Sequence, residues 1–479
     1  MRVVFATAEL TGVAAVGGLA DAAAGLTREL RRQGADVDVV MPDYTPERRR
    51  VALGGEVRRR IDVPGWAAPA TVRAGEHPIA GRVHLVSVPG MARSHPYLRP
   101  DGLGWPDNPA RFLAFSRAVA AMVRRNPPDI LHLNDWHTGA VLAALPAPPP
   151  SVLTLHSVAY QGVTDASWLR RLGSRGAHYE WWGGTNPLSG AIALADAILA
   201  VSPPYAREIL TPAGGFGLDG PLRDRGAAVS GIRNGIDTTR WDPATDRHLA
   251  ATFSVDEPRR IAAARAVNRR ALLERCGWPD DGVPLAVVVS RLTGQKGIDM
   301  LQPIVPVLAH IPMRLMVLGA GEAALAQSLA GLTADHRDRF AFVERYDEPL
   351  ARLMFGGGDV FVMPSRFEPC GLAQMQAMRY GAIPVVTAVG GLRDTVPDVD
   401  AQPGGNGFVA DAVEPVAVVS ALFRAARLLA DRRRHPALVR HVMAQDWSWR
   451  QPAAEHLARY GEISAVRTPT CGGVSTPSS

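Results

Sequence analysis

Short apolar runs alternate with longer amphipathic stretches along most of the chain. In the first half, the apolar runs that predict buried strands lie at residues 2–6, 36–41, 83–88, 130–134, 152–155 and 198–201. Amphipathic stretches at residues 19–33 and 109–125 predict helices between them. Because strands that alternate with helices favour parallel pairing, this half predicts a doubly wound parallel sheet.

The same alternation restarts after a polar, helix-like segment at residues 240–284, which we interpret as the connection between two domains. The predicted strands of the second half lie at residues 285–290, 315–318, 340–343, 359–363 and 383–386. The predicted helices lie at residues 299–310, 322–332, 348–355, 372–380, 415–431 and 436–444. The fold class is therefore α/β, with two doubly wound parallel-sheet domains.

The length of 479 residues also favours two domains, because it exceeds what one hydrophobic core usually supports. We place these domains at residues 1–250 and 251–450. One more helix is predicted at residues 451–466. The remaining residues, 467–479, are rich in Ser, Thr, Gly and Pro and predict a disordered tail.

The charged residues limit the possible partners. The formal net charge is +6, but the arginines are scattered among acids and lack interleaved aromatic residues. A nucleic-acid interface concentrates its basic residues on one face, so nucleic-acid binding is not predicted. No apolar run reaches the roughly 18 residues of a membrane span, and Met1 leads directly into a predicted strand. We therefore expect a cytoplasmic protein without a membrane partner.

The three cysteines, Cys276, Cys370 and Cys471, are far apart in the sequence. Their spacing matches neither a disulfide framework nor the ligand pattern of a zinc site. We therefore expect free thiols in a reducing compartment and no bound metal.

The stretch at residues 364–372 joins a predicted strand to a predicted helix through a tight turn. Unpaired amides at a helix start, here those of Gly371 and Leu372, suit a phosphate group. Glu368 lies in the turn before them, where a carboxylate repels phosphate but accepts hydrogen bonds from a sugar hydroxyl. The combination predicts a phosphorylated sugar donor. The alternative is an ordinary turn with a solvated glutamate.

Lys296 is the only lysine in a chain with 52 basic residues. A compact ammonium contacts phosphate differently from the planar guanidinium of arginine. The presence of one lysine in so arginine-rich a chain therefore indicates a phosphate contact, with chance survival as the alternative.

Polar residues directly follow several predicted strands. Ligands of open α/β sheets bind at the carboxyl ends of the strands. The polar residues at these positions are Asp135, His137, His156, Arg291, Lys296 and Glu368. Each of them alone is compatible with a structural role, but their equivalent places in two domains favour ligand binding.

Gly17 and Gly18 precede the first predicted helix and end a glycine-bearing loop. Glycines at this place permit a ligand to approach the backbone closely, as in dinucleotide-binding folds. Because the spacing is not G-x-G-x-x-G, this pattern alone does not specify a ligand.

A set of short motifs spans nearly the whole chain. The motifs lie at residues 17–21, 134–137, 154–156, 159–162, 201–209, 216–220, 233–237, 241–246, 290–297, 346–348 and 364–372. In this order they resemble the bacterial glycogen synthases and plant starch synthases, which are retaining glucosyltransferases of the GT-B type. No single motif is specific, but the ordered set is.

The resemblance implies two Rossmann-like domains that face a central cleft, with the helix at residues 451–466 crossing back onto the N-terminal domain. It implies transfer of glucose from ADP-glucose to the non-reducing end of an α-1,4-glucan such as glycogen, with retention of configuration. It also implies that no metal and no cofactor are required. The sequence leaves open the choice between ADP-glucose and UDP-glucose, and the oligomeric state.

The resemblance also implies roles for individual residues. Arg291 and Lys296 would neutralise the donor diphosphate, and Tyr346 would stack on the adenine. The complete set expected at the donor is Gly17, Gly18, Asn234, Arg291, Lys296, Tyr346, Cys370, Gly371 and Leu372. His156 would contact the transferred glucose and Glu368 would face its hydroxyls. The set expected near the acceptor is Asp135, His137, Tyr160 and Gln161.

The chain departs from the family pattern at four positions. Ala15 and Ser189 stand where lysines are usual, Ser157 where asparagine is usual, and Gln376 where tyrosine is usual. A lost charge-assisted phosphate contact costs about 1.5–3 kcal/mol, or about one to two decades in donor affinity. The alternatives to full activity are a catalytically weakened glucan-binding homologue and a glucosyltransferase with another donor or a small-sugar acceptor.

Overall fold

The computed structural model describes residues 1–45, 51–64 and 68–467. The chain forms two compact units. The first unit contains Met1–Gly235 together with the segment from Trp449 onward, and the second contains Ile236–Ser448. The predicted tail at residues 467–479 lies, apart from its first residue, outside the described residues, as does Cys471.

The strands and helices of the two units follow in chain order. The strands are β1 Arg2–Ala6, β2 Asp36–Pro42, β3 Gly54–Ile61, β4 Ala70–His77, β5 Gly81–Ser87, β6 Ile130–Asn134, β7 Ser151–Leu155, β8 Thr164–Asp165, β9 Glu180–Trp181, β10 Gly184–Thr185, β11 Ala197–Ala200, β12 Val229–Gly231, β13 Leu285–Val289, β14 Arg314–Gly319, β15 Phe340–Glu344, β16 Val360–Met363, β17 Ile383–Thr387 and β18 Phe408–Ala410. The helices are α1 Gly18–Arg32, α2 Asn108–Arg125, α3 Asp135–Gly139, α4 Leu169–Leu172, α5 Pro187–Leu194, α6 Pro203–Glu208, α7 Pro212–Gly215, α8 Asp219–Asp224, α9 Pro258–Cys276, α10 Leu301–Val307, α11 Ala323–Asp335, α12 Glu348–Gly357, α13 Ala373–Arg379, α14 Leu392–Thr395, α15 Pro415–Leu429, α16 Arg434–Met443 and α17 Arg450–Arg467.

The first unit is built on a nine-stranded sheet in the order β12-β11-β7-β6-β1-β2-β5-β4-β3. All six predicted strands are present, and together with β12, which was not predicted, they form a parallel series from β12 to β5. β4 and β3 extend the sheet as antiparallel strands, which the sequence analysis missed. The edge strand β3 is largely exposed and carries Arg58, Arg59 and Arg60. It therefore lacks the apolar run by which buried strands are recognised.

The second unit is built on a six-stranded parallel sheet in the order β15-β14-β13-β16-β17-β18. In chain order this arrangement is 3-2-1-4-5-6, the order of dinucleotide-binding sheets. The strand order reverses between β13 and β16, and that point is where ligands bind in such sheets. The second doubly wound sheet predicted from the sequence is confirmed.

The boundaries between the units differ from those predicted at residues 250 and 450. The segment at residues 236–250 belongs to the second unit, where the Ile236 amide donates to the Trp447 carbonyl at 2.8 Å. In the same segment the buried Asp246 forms an ion pair with Arg352 at 2.9 Å. This segment has no strand pattern, so its attachment follows from side-chain contacts that the sequence does not display.

The segment at residues 240–284, interpreted above as a connection, lies entirely in the second unit. It contains α9, whose buried Arg265 donates to the Phe355 carbonyl at 3.3 Å. The final helix α17 starts at Arg450 and lies in the first unit, as expected. Trp449, just before it, packs so closely on Gly25 of α1 that an added Cβ would lie 2.0 Å from the indole nitrogen.

A second, small sheet in the first unit has the order β8-β10-β9 and is antiparallel. Its strands have two residues each, too few to give a pattern, and the sequence analysis did not predict them. Cys276 and Cys370 are free thiols. Among the described residues, none of the helices combines the length and the apolarity that a membrane crossing needs.

Candidate active site

In the second unit, the ammonium of Lys296 forms an ion pair with the carboxylate of Glu368. Lys296 lies in the loop after β13 and Glu368 in the loop after β16. These two strands are neighbours at the point where the strand order reverses. Glu368 is buried and the side chain of Lys296 is only 16% exposed. The structure thus brings together, at the expected edge of the sheet, two residues that are 72 positions apart.

The two loops that carry this ion pair are tied together through their backbones. The Arg366 amide donates to the Gln295 carbonyl at 2.9 Å, and Gln295 Nε2 donates to the Phe367 carbonyl at 3.1 Å. Gly297 has a φ of +66°, and an added Cβ would lie 1.9 Å from the Pro364 carbonyl oxygen. Only glycine meets both conditions, so it is what allows the Lys296 loop to approach this close.

The remaining hydrogen bonds of Glu368 hold the turn in place. Ser365 Oγ donates to Glu368 Oε2 at 3.2 Å, and the Gly391 amide donates to the Glu368 carbonyl at 3.0 Å. Glu368 is therefore not a solvated turn residue, which was the alternative in the sequence analysis. It is fixed by an ammonium and a hydroxyl.

The turn after Glu368 leads into α13, which begins at Ala373, one residue later than predicted. Gly371 adopts a φ of +74°, in the left-handed region that favours glycine. Gln374 Nε2 donates to the carbonyls of Cys370 and Gly371, both at 3.1 Å. These bonds turn the carbonyls toward the helix, so the turn presents its amides, including that of Leu372, on the other side.

Two further donor-side candidates lie at the same edge of the second sheet. Arg291 follows β13 and is exposed. Tyr346 follows β15, is 85% exposed, and donates its hydroxyl to Glu348 Oε2 at 3.5 Å. Because β14 separates β15 from β13, the tyrosine ring stands two strands away from the lysine. Both side chains are accessible to a ligand.

In the first unit, Asp135 joins the ends of two neighbouring strands. It follows β6, and its Oδ1 accepts hydrogen bonds from the amides of His156 at 2.7 Å and Ser157 at 3.3 Å, just after β7. Its φ is +53°, an uncommon conformation for a residue with a side chain. Burial raises the pKa of the Asp135 carboxyl to about 7. The carboxylate therefore fixes the backbone on which His156 is carried.

His156 itself has a defined proton position. Asn134 Nδ2 donates to the Ala6 carbonyl at 2.9 Å, so Asn134 Oδ1 is the acceptor for His156 Nε2, also at 2.9 Å. Burial, together with the nearby His456, lowers the pKa of His156 to about 3. At neutral pH the ring is therefore uncharged, with its proton on Nε2 and an acceptor lone pair on Nδ1.

Asn234 lies in the same part of the first unit as His156. Both residues line a cavity of about 10 Å³, together with Asn134, Thr154 and His456. This is about the volume that one water molecule needs. The structure therefore brings together the two residues expected near the transferred sugar.

The predicted acceptor residues have different surroundings. His137 is buried among aromatic rings, with centroids 4.2 Å from Trp136 and 4.7 Å from Phe112, and burial lowers its pKa to about 3. Gln161 is held at both ends, accepting from Asn186 Nδ2 at 2.8 Å and donating to the Phe216 carbonyl at 2.9 Å. Tyr160 is 64% exposed and free to face a ligand.

The glycine loop is organised by a residue that the sequence analysis missed. Glu9 Oε2 accepts hydrogen bonds from the amides of Val16 at 2.7 Å and Gly17 at 2.8 Å. Glu9 Oε1 accepts from the Tyr97 hydroxyl at 2.8 Å. Part of the backbone expected to meet the donor at Gly17 and Gly18 is thus occupied by a carboxylate. Glu9 follows β1 by three positions, so the strand-end rule applied to that strand would have identified it.

A buried polar chain links α17 to the strand that precedes His156. His132 Nδ1 lies 2.5 Å from the Tyr460 hydroxyl, and His132 Nε2 lies 2.7 Å from Thr154 Oγ1. The ring of His132 also stacks on that of His456, with centroids 5.9 Å apart. The contact to Tyr460 spans 328 positions, and no local signal reveals it.

A metal site was not expected, and the described ranges contain no cluster of three His, Cys, Asp or Glu side chains that could hold a metal ion.

Two known families match the sequence. The family described as "Starch synthase catalytic domain" matches residues 2–224, within the first unit. The family described as "Glycosyl transferases group 1" matches residues 283–428, within the second unit. The two matches thus follow the division of the structure.

Curated relatives extend over the full chain. The sequence is 41% identical over 488 residues to a glycogen synthase of Acidiphilium cryptum, covering 97% of this chain and 100% of the relative. It is 40% identical over 484 residues to a glycogen synthase of Halorhodospira halophila, covering 98% and 100%.

Solved structures of glycosyltransferases are also similar to this chain. The catalytic domain of starch synthase IV from Arabidopsis thaliana, solved with ADP and acarbose, matches with a TM-score of 0.86 and 30% identity. This match covers 97% of the present chain and 99% of the other. A sucrose-phosphate synthase from Thermosynechococcus elongatus matches with a TM-score of 0.61 and 18% identity over 97% and 99%, which shows a shared fold alone.

Proposed function

Because the chain belongs to the starch and glycogen synthase family of glycosyltransferases, we propose that it transfers glucose from ADP-glucose to the non-reducing end of an α-1,4-glucan. The fold is GT-B, as the sequence predicts. The ADP bound to the plant starch synthase supports ADP-glucose as the donor. The proposal includes retention of configuration and requires neither a metal ion nor another cofactor.

The observation that carries this proposal is the ion pair between Lys296 and Glu368. A largely buried ammonium and a buried carboxylate at the point where the strand order reverses are costly unless a ligand or each other satisfies them. A sugar diphosphate satisfies both, since its phosphate takes the ammonium and its sugar hydroxyls donate to the carboxylate.

The second unit supplies the donor contacts in this scheme. Lys296 and Arg291 neutralise the diphosphate, and the amides around Gly371 and Leu372 add fixed dipoles, so the charge that develops on the leaving group is stabilised. Tyr346, with a ring that is 85% exposed, stacks on the adenine. Cys370 is buried in the turn and positions its backbone.

The first unit supplies the groups for the transferred glucose and the acceptor. The neutral His156 ring offers its Nδ1 lone pair, and Asn234 lies beside it. Tyr160 offers an exposed ring to the acceptor. Asp135 and His137 lie in α3, Gln161 lies beside Tyr160, and all three maintain the shape of these segments.

Retention follows in this proposal without a protein nucleophile. The bond between the anomeric carbon and the diphosphate oxygen breaks, and the bond from the acceptor hydroxyl oxygen forms on the same face. The hydroxyl proton moves to the departing phosphate. Glu368 then stabilises the positive charge on the sugar ring while Lys296 stabilises the leaving group.

Ala15 favours a second candidate function, a glucan-binding homologue with weak turnover or with a different donor. It is exposed beside the glycine loop, where the family carries a lysine, so one cation that would hold the donor is missing. Ser157 and Ser189 replace further family residues, and Ser189 is buried.

The test is ADP release on incubation with ADP-glucose and glycogen, with linkage analysis of the product and UDP-glucose as the alternative donor. Lys296→Ala and Glu368→Ala are each expected to lower the rate by about 100-fold or more. Glu414→Ala, an exposed acid in the second unit, is the matched control and should leave the rate unchanged. Glycogen binding without consumption of either nucleotide sugar would favour the second candidate instead.

A further inference from the structure

The tip of the β9–β10 hairpin carries a tryptophan where sequence rules favour a small polar residue. Trp181 pairs with Gly184, so the loop consists of Trp182 and Gly183 alone. Both loop residues have positive φ, +49° for Trp182 and +79° for Gly183. This is the conformation of a type I′ turn, in which asparagine, aspartate or glycine is strongly preferred at the first position.

Trp182 also contradicts the usual distribution of apolar residues. Its side chain is 89% exposed, although tryptophan is among the most apolar and most highly buried residues on average. A single exposed apolar residue is ordinary, and so is an occasional strained residue. One residue that is both fully exposed and held in an unfavourable conformation indicates selection for something other than stability.

The turn that carries the indole is closed by a hydrogen bond. The Gly183 amide donates to Glu180 Oε1 at 2.8 Å, which closes the turn. The ring of Trp182 lies 6.2 Å from that of Trp181 at an interplanar angle of 85°, so the two indoles form a corner. The Trp182 indole, which is 89% exposed, presents an open aromatic face at this corner.

The base of the hairpin is joined to the predicted acceptor loop. Asn186 directly follows β10, and its Nδ2 donates to Gln161 Oε1 at 2.8 Å. Thr185 Oγ1 donates to the Asp165 carbonyl at 2.9 Å, which ties the hairpin to β8 and thus to the same loop. Tyr160, beside Gln161, is a second exposed ring. Two exposed aromatic side chains, Tyr160 and Trp182, therefore belong to the two segments that this contact joins.

We propose that Trp182 is an anchoring site for a distal part of the α-1,4-glucan acceptor, in addition to the residues at the site of transfer. The inference rests on the proposed function for the identity of its ligand. One face of a glucose ring presents C–H groups, which pack on an indole face, while the hydroxyls at its edge remain in water. A glucan that is held at Gln161 and Tyr160 extends toward the hairpin, which is continuous with them.

The structure provides a substitution that separates binding from folding. Trp182→Asn places the residue preferred by a type I′ turn at this position, so the thermal midpoint should be unchanged or higher. It removes the aromatic face entirely. Trp182→Tyr retains an aromatic face, and Phe423→Ala removes a 49% exposed ring on α15 of the second unit as the matched control.

Binding is measured by retardation in native gels that contain glycogen, which requires no activity. Trp182→Asn should weaken apparent glycogen affinity about five- to tenfold, the factor expected when one aromatic contact is lost. Trp182→Tyr should retain most of the affinity, and Phe423→Ala all of it. In assays of transfer, the KM for glycogen should rise by a similar factor, while kcat and the KM for maltotriose stay at wild-type values.

Equal retardation of Trp182→Asn and wild type would overturn the inference. So would a change in sedimentation mass without a change in glycogen affinity, because the indole would then serve contact between copies of this chain. Failure of the proposed function is a separate result: wild type would release no ADP with any glucan acceptor, whereas the gel comparison would still report on the anchoring site.

Discussion

The carboxylate of Glu368 is shared between the Lys296 ammonium and the Ser365 hydroxyl, which lies 3.2 Å from Glu368 Oε2. In the proposed reaction a donor phosphate takes the ammonium as its partner. The carboxylate is then free to accept hydrogen bonds from the sugar hydroxyls. In this proposal the ion pair is the unliganded state of the donor site.

The first prediction concerns the only lysine. Lys296→Arg should lower kcat/KM for ADP-glucose by about 10- to 100-fold, since the planar guanidinium does not replace a compact ammonium at a largely buried position. Initial rates of ADP release at varied donor concentration give the value. The matched control is Arg427→Lys, the reverse exchange at an exposed position of α15. A Lys296→Arg enzyme with wild-type kcat/KM would contradict the proposed phosphate contact.

The second prediction concerns two glycines of the Lys296 loop. Gly297→Ala should lower the free energy of unfolding by about 1–3 kcal/mol through its left-handed backbone alone, and further because the new Cβ meets the Pro364 carbonyl. Gly294→Ala is the control, because no atom lies within 4 Å of its added Cβ. Urea unfolding of both variants decides the matter. Equal stability of the two would show that the loops are not as closely packed as described.

The third prediction restores a family residue. Ala15→Lys should lower the KM for ADP-glucose by about tenfold or more, because one charge-assisted contact to the diphosphate is gained. Ala227→Lys adds the same charge at another exposed position of the first unit and should leave the KM unchanged. If both variants respond alike, the gain comes from net charge and Ala15 does not lie at the donor.

Strand ends were the most informative part of the sequence. Lys296 and Glu368 were each identified because they follow predicted strands, since buried parallel strands have both a clear apolar pattern and a fixed carboxyl edge. The structure joins the two side chains in an ion pair. Contacts such as that of Tyr460 with His132 could not be predicted from the sequence. They depend on helix packing between distant segments, for which one sequence contains no periodic signal.

Short and exposed elements were also missed, for a different reason. β3 alternates between two solvent-exposed faces, and the β8-β10-β9 sheet is shorter than any period. Glu9 follows a predicted strand, but its partners are backbone amides of the glycine loop, and a carboxylate bound to backbone amides gives no pattern in the sequence. Local pattern predicts what is buried and regular, and tertiary packing decides the rest.

The fourth prediction concerns acid stability. Burial lowers the pKa of His456 to about 4, below its ordinary value of 6.5. Between these pH values the unfolded chain binds one more proton at this residue, so the free energy of unfolding falls as the pH is lowered from about 6.5 to about 4. His456→Gln should reduce this slope by up to about 1.4 kcal/mol per pH unit. Urea titrations at pH 7 and pH 5 measure the change in the free energy of unfolding with pH. The same change in wild type and in His456→Gln would contradict the lowered pKa of His456.

The fifth prediction has the opposite sign. Burial raises the pKa of Asp135 to about 7 from its ordinary 3.8, so between these values the folded protein binds more protons. The contribution of Asp135 to the free energy of unfolding of the wild-type protein therefore falls as the pH rises from about 4 to about 7. The Asp135→Asn variant has no titratable carboxyl at this position. Its free energy of unfolding relative to that of wild type should therefore increase between about pH 4 and about pH 7. A difference that is constant from pH 5 to pH 8 would contradict the raised pKa.

The first unit is discontinuous in the chain, and this has a consequence for protein synthesis. Trp449 fills the space over Gly25, and Tyr460 bonds to His132, yet both follow all of the second unit. A ribosome therefore delivers the whole second unit before the first can be completed. Until α17 has been synthesised, one face of α1 remains uncovered. Chaperone binding or premature termination should therefore affect the first unit more than the contiguous second unit.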